Sequence, residues 1–301
     1  MAGITGTDGL TIQPMTAPLR VATQHLLPQH ALTSLVYRLT RCRSPWLKNL
    51  LIRSFCRAYN VNLAEAEHTD ATSYSTFNAF FTRALQSGAR PVDPAPDALV
   101  SPVDGHISQI GRISDGLLVQ AKGRDYTVAA LLGSEASDAT RFANGNFATL
   151  YLAPHNYHRI HMPCAGRLRH MRYVPGHLFS VNDASVAGID QLFARNERLV
   201  CSFDANGQMI VCLVGALFVG STETVWHGAV TPARERRVTD FDYSDPAAAR
   251  AFTKGEEMGR FNMGSTVILM FEEGRVEWDA GLGAGSEIRV GRRMGRLLRR
   301  T

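Results

Sequence analysis

From about residue 99 to residue 278 the chain alternates short runs of β-favouring residues with Gly, Pro and Asn breakers. Runs of this length and spacing direct a chain into hairpins and an antiparallel sheet rather than into βαβ units. Gly116–Ala121, Phe147–Leu152 and Leu199–Phe203 are examples. The last leads through Asp204-Ala205-Asn206-Gly207 into the apolar run Met209–Val219, which reads as a hairpin. Thr266–Phe271, Glu273-Gly274 and Val276–Trp278 read as another. No GxGxxG or GxxxxGK[ST] motif occurs, so nucleotide-binding α/β folds have no support. The expected class is α+β: N-terminal amphipathic helices followed by a large, mainly antiparallel β body. The expected division is residues 1–68 and 69–301.

Composition narrows the partners. With 45% hydrophobic and 20% charged residues the chain has the make-up of a folded globular protein. Its longest apolar run, Met209–Gly220, is twelve residues, well short of the roughly twenty that cross a bilayer. No basic residue precedes Arg20, so the start does not read as a secretory signal. Five cysteines form no CxxC, which suits a reducing compartment, and Cys164 is expected to be inert. The net charge of +5 is unevenly spread. Residues 9–64 hold seven cations (Arg20, Arg38, Arg41, Arg43, Lys48, Arg53, Arg57) and no Asp or Glu. The last thirteen residues add Arg289, Arg292, Arg293, Arg296, Arg299 and Arg300, leaving the remainder at −8.

Pro28 can open a helix with Leu32, Leu35, Val36 and Leu39 on one face. Ser44-Pro45 can open a second, with Leu47, Leu50, Leu51 and Phe55 at helical spacing. Basic amphipathic helices either lie in an anionic membrane interface or pack on a core with a solvated basic face, and periodicity leaves both open. No nucleic acid partner is expected, since zinc-finger spacing is absent.

Three segments carry candidate chemistry. Asp104 sits in the turn Ser101-Pro102-Val103-Asp104-Gly105-His106. His158 and His161 lie in Tyr157–Pro163, with His155 just before. No cysteine or carboxylate stands at zinc spacing, so no metal is expected and a general base is the better reading. Lys254–Thr266 ends in Gly264-Ser265-Thr266 at the entry to a β-like run. A second Gly-Ser-Thr occurs at Gly220–Thr222, and neither has the Gly-x-Ser-x-Gly form of a hydrolase elbow. Spacing alone assigns no reaction.

Taken in order, longer blocks give more. Ser73–Arg83, the Asp104 turn, Tyr157–Pro163, Tyr173–Asn182, Leu192–Arg198, Glu223–Trp226 and Lys254–Thr266 together resemble the phosphatidylserine decarboxylase family over roughly residues 28 to 278. The resemblance implies a decarboxylase without pyridoxal phosphate, made as a proenzyme that cuts itself before the serine of a Leu-Gly-Ser-Thr motif. Here the matching stretch is Met263-Gly264-Ser265-Thr266, with Met in place of the usual Leu at similar volume. By the same match Asp104, His161 and Ser265 form the charge relay for cleavage between Gly264 and Ser265. The products are a large chain 1–264 and a small chain 265–301 that stay together as a heterodimer, with a higher homo-oligomer left open.

Ser265 then becomes a covalent pyruvoyl group, the cofactor formed in place, which makes a Schiff base with the amine of phosphatidylserine. His158 is the candidate proton donor. Some members carry an acid where this chain has Asn156, which leaves Asp104 as the one carboxylate to orient His161. With a membrane lipid as substrate, residues 9–64 become a docking surface, and the expected location is peripheral, on the cytoplasmic side of the cell membrane. The rivals are a serine esterase or protease on Asp104, His161 and Ser265, a non-catalytic membrane adaptor, and a pyruvoyl enzyme acting on a soluble amino acid.

Overall fold

A computed structural model describes residues 24 and 27–299, apart from 122, 135–138, 219–220, 234, 246–248 and 264. Gly264 of the candidate cleavage bond, Gly220 of the rival pair, and Arg20 and Arg300 of the basic ends therefore lie outside the described residues.

The two expected helices form. Helix α1 spans Gln29–Thr40 and helix α2 spans Pro45–Tyr59, the latter opened by Pro45 after Ser44. The Ser44 side chain makes no cap bond, so the proline's fixed φ sets the start. Helix α1 buries its polar side, with Gln29, Thr33 and Thr40 inward, while Leu35 is 62% and Leu39 40% exposed. Gln29 explains the inversion, because its Oε1 accepts from the Leu178 N–H at 2.8 Å. Helix α2 seats Ile52 in an aromatic cluster with Tyr74, Phe77, Phe80 and Phe81, yet leaves Trp46 73% exposed. Lys48 leaves the basic face: it is buried, and its Nζ donates to the Thr72 carbonyl at 2.8 Å.

The body is β, as expected. Its first strands are β1 (Ala98–Val100), β2 (Gly105–Arg112), β3 (Leu117–Ala121), β4 (Arg124–Thr127), β5 (Asn146–Tyr151) and β6 (Arg159–His161). Next come β7 (Gly166–Val174), β8 (Arg198–Asp204), β9 (Gln208–Val214), β10 (Thr222–Thr224), β11 (Gly228–Ala229) and β12 (Thr239–Asp242). The chain ends with β13 (Arg250–Phe252), β14 (Glu257–Phe261), β15 (Thr266–Phe271), β16 (Val276–Trp278), β17 (Glu287–Ile288) and β18 (Arg293–Leu297).

Among the described residues a nine-stranded sheet runs β12-β7-β8-β9-β15-β5-β2-β17, with β13 also on β7. Its pairings are antiparallel, and β15 lies between β9 and β5. All six β15 residues are buried, which is why Thr266–Phe271 reads as an unbroken apolar run rather than an alternating one. The β8–β9 hairpin forms as expected, though β9 stops at Val214. Asn206 at its turn takes φ +56°.

The second expected hairpin does not form. Because β15 has both edges occupied, β16 pairs with β18 in a separate sheet instead of folding back on it. A four-stranded sheet, β11-β10-β14-β6, sits beside the large one. Asn262, Met263 and Ser265 lie between the end of β14 in the small sheet and the start of β15 in the large sheet, where the chain crosses from one to the other.

Candidate active site

The three candidate relay residues come from separate elements. Asp104 closes the turn between β1 and β2 and is 6% exposed. The following residue must be glycine, since a β-carbon at Gly105 would overlap the Tyr151 carbonyl oxygen on β5. His161 ends β6, opposite Glu257 of β14. Ser265 is fully buried in the inter-sheet crossing, where its carbonyl accepts from the Leu152 N–H at 3.0 Å.

Asp104 and His161 are neighbours without a hydrogen bond between their side chains. The link is backbone: the His161 N–H donates to the Pro102 carbonyl at 2.9 Å. The Asp104 carboxylate is gripped instead by Arg90, whose Nε lies 3.0 Å from both oxygens and whose Nη2 lies 2.6 Å from Oδ2. The Val290 N–H adds a bond to Oδ1 at 2.9 Å, so the segment that would become the small chain helps to fix this acid. Arg90 also donates to Glu65 at 2.8 Å.

The tautomer of His161 follows from its partners. Nδ1 faces the Gly255 carbonyl at 2.8 Å, and a carbonyl only accepts, so Nδ1 carries the proton. Nε2 is then bare and accepts from the Tyr157 hydroxyl at 3.1 Å. Burial pushes the Tyr157 hydroxyl up to about 12, which keeps it a donor. Burial lowers the His161 pKa, opposed by the Gly255 carbonyl and by the charges of Glu257 and Asp104. The ring is therefore a neutral base with its acceptor nitrogen held by Tyr157 rather than by Ser265.

His158 is fully buried against Phe81, ring centroids 4.1 Å apart. Its Nδ1 faces the Asn156 carbonyl at 2.8 Å, so it too carries its proton there, and Nε2 has no partner among the described residues. Burial, with the charge of Arg83, lowers its pKa to about 3. The unfolded chain binds a proton on this histidine near its ordinary value of 6.5, whereas the folded one does not. Stability contributed by the neutral ring is therefore present above pH 6.5 and is lost as pH falls from 6.5 toward 3, by an amount of order 4 kcal/mol. A urea midpoint that falls over this range in wild type and falls less in His158→Phe is the expected result.

Around the crossing the structure adds residues that spacing did not single out. Asn262 is buried, and its Nδ2 donates to Ser221 Oγ at 2.7 Å and to Glu223 Oε1 at 3.0 Å. Asn78 Nδ2 donates to Asn262 Oδ1 at 3.0 Å. The serine of the rival Gly-Ser pair is thus a bonded support for the crossing, while Ser265 Oγ has no hydrogen-bond partner among the described residues. Met263 packs on both the aromatic cluster and the main core. It also lines an apolar cavity of about 160 Å³ with Phe55, Tyr59 and Phe81. Cys164 is buried and burial pushes its thiol up to about 12, so it is inert. No cluster able to hold a metal ion occurs among the described residues.

Comparisons with known proteins identify the family. A family model described as phosphatidylserine decarboxylase matches residues 77–296, and a second, described as PSD, matches residues 19–60. The phosphatidylserine decarboxylase proenzyme of Methylococcus capsulatus is 53% identical over 273 residues, covering 90% of this chain and 94% of its own. That of Nitrosococcus oceani is also 53% identical, over 276 residues, with 91% and 90% covered. That of Chromobacterium violaceum is 51% identical over 282 residues, with 93% and 99% covered. The matches run through the Asp104 turn, the His158–His161 strand and the crossing that holds Ser265, and the chain belongs to the phosphatidylserine decarboxylase family.

Proposed function

We propose that this chain cuts itself between Gly264 and Ser265, and that the two resulting chains together convert phosphatidylserine to phosphatidylethanolamine and CO2. The observation that carries the reading is the Ser265 hydroxyl, fully buried and without a hydrogen-bond partner among the described residues. Buried hydroxyls almost always find a partner. The hydroxyls of Thr33, Tyr126, Thr149 and Thr266 are also buried without a partner among the described residues, and Ser265 is the one of these five that directly follows a glycine, in the crossing between two sheets. The relatives' name, proenzyme, supports processing.

In the uncut chain Tyr157 holds His161 Nε2, so exchange of that partner for Ser265 comes first. Ser265 Oγ then attacks the Gly264 carbonyl carbon while its proton passes through His161 to the departing nitrogen, and an ester replaces the peptide bond. Asp104, immobilised by Arg90, supplies negative charge that favours the protonated ring. Loss of the Ser265 α-proton expels the Gly264 carboxylate. Water then replaces nitrogen at that carbon and ammonia leaves.

The orphaned hydroxyl marks a position that fits a pyruvoyl group, which would supply an electron-accepting carbonyl for decarboxylation. His158 is our candidate for the proton that the α-carbon gains as CO2 departs: its unpartnered Nε2 supports the role, and that nitrogen must take up the proton before passing it on. Residues 265–301 remain bound after the cut because β15 is hydrogen-bonded along both edges. The test is intact mass of wild type beside Ser265→Ala, two chains against one.

Residues 1–68 form the membrane-docking part and 69–301 the catalytic part, at the cytoplasmic face of the cell membrane. No described helix is long and apolar enough to cross a membrane. Of the twelve exposed large hydrophobic residues among the described residues, six lie within residues 27–59, including Leu35, Trp46 and Leu50. Arg43, Arg53 and Arg57 are exposed on the same acid-free stretch. Each cation near an anionic surface contributes about 1 kcal/mol, so the Arg43→Gln, Arg53→Gln, Arg57→Gln triple variant should bind anionic vesicles about a hundredfold more weakly at low salt. Unchanged co-sedimentation with vesicles would remove the docking role.

A further inference from the structure

A cavity of about 420 Å³ opens beside Asp104, and its walls include Arg83, Arg90, His155 and Tyr157. Arg83 is only 5% exposed. Buried guanidinium groups are normally paired with carboxylates. Arg83 has no ion pair among the described residues: Asp104 and Glu65, the acids nearest to hand, are both taken by Arg90, with Arg289 also on Glu65. Its Nη2 donates to the His155 carbonyl at 3.2 Å, and its Nε is buried with no partner at all. Phe80 lies under the guanidinium, 5.5 Å from ring centroid to Cζ. Burial also lowers the Arg83 pKa, opposed only in part by Tyr74, Cys56 and the charge of Asp104. A buried guanidinium without an acid partner, on a residue that lines a cavity, describes half of an ion pair.

We infer that Arg83 is the anchor for the substrate's phosphodiester, an inference that rests on the decarboxylase reading above. The substrate carries two anions, and the chemistry separates them. A guanidinium paired with the carboxylate that leaves as CO2 would stabilise the ground state more than the transition state, and so slow the reaction. The phosphodiester keeps its charge throughout, so an arginine can bind it equally in both states. Phe81, two residues from Arg83 in the chain, lines the apolar cavity at Met263, a separate cavity suited to acyl chains.

Uniform binding appears in KM and not in kcat. Arg83→Gln is expected to raise KM for phosphatidylserine in mixed micelles about 10- to 100-fold, the usual worth of a charge-assisted pair, with kcat unchanged. Arg83→Lys, which keeps charge but loses the fork, should fall between. Normal splitting of both variants, read by intact mass, reports that they fold and separates this inference from the self-cleavage reading. The second arm uses uncut Ser265→Ala chains with and without Arg83→Gln. Soluble glycerophosphoserine should bind the first and not the second, whatever the state of processing. Inorganic phosphate competing as well as glycerophosphoserine would assign the site to free phosphate and overturn a lipid anchor. A fall in kcat at constant KM, or unchanged kinetics in both variants, would overturn it as well.

Discussion

Ser265→Ala is expected to fold, to remain one chain of 33.0 kDa, and to lose decarboxylase activity by on the order of 10⁴-fold or more. The fold should survive because Ser265 Oγ makes no hydrogen bond among the described residues. Its removal therefore strands no partner, and the backbone bond from Leu152 to the Ser265 carbonyl is untouched. Activity should not survive, since in the proposed sequence the hydroxyl is the nucleophile of the cut, and its departure with the Gly264 carboxylate is what leaves the carbon skeleton of the electron-accepting group. A serine hydrolase would also lose activity, but its wild type would be a single chain. Thermal unfolding beside intact mass checks both halves, and a split Ser265→Ala chain would place the cut elsewhere.

The second large effect lies in stability. Arg90 and Asp104 are 11% and 8% exposed at the side chain, and their pairing neutralises a buried carboxylate that would otherwise keep the Val290 N–H but no opposite charge. Breaking a buried pair from one side costs about 3–5 kcal/mol, because the remaining charge has neither water nor partner. Arg90→Met should therefore lower the urea-unfolding free energy by about that amount. Arg90→Met combined with Asp104→Leu should recover a substantial part, since replacing both charges removes the orphan. If the double variant were as unstable as the sum of its single changes, the pair would be uncoupled. Arg90→Met chains that do fold should also process more slowly, as Asp104 is then free to leave its place beside His161.

What could be read from the sequence follows the range of the interactions. The β8–β9 hairpin depends on a turn of a few residues, and helix α2 on Ser44-Pro45, so both are local and both are legible. The Thr266–Phe271 run declares a buried strand but not its neighbours. Those are β5 and β9, distant in sequence, and their claim on both edges is what sends β16 to β18. Helix α1 shows the opposite failure, because its leucine stripe looks like a core face. The buried bonds of Gln29, which no periodicity reveals, turn that stripe outward.

The site divides in the same way. Asp104, His158, His161 and Ser265 stand in segments dense with Gly, Pro and His and attract attention at once. The family resemblance gives them roles that spacing could not. Arg90, Tyr157 and Asn262 act through tertiary contacts with Asp104, His161 and Ser221 respectively; Tyr157 and Asn262 lie in segments the sequence singles out, but no local pattern gives these contacts. Arg83 had one available signal, a cation at the end of the aromatic run Phe77–Phe81, where burial is expected and an acid partner is missing.

The most direct test of the account is the intact mass of the purified wild-type chain under denaturing conditions. Self-cleavage before Ser265 with pyruvoyl formation requires two species: residues 1–264 with an ordinary carboxyl end, and residues 265–301 lighter by one ammonia than the same segment with serine at its front. A single unbroken chain of 33.0 kDa in an active preparation would contradict it, as would a small chain that begins at Ser221 or keeps an intact N-terminal serine.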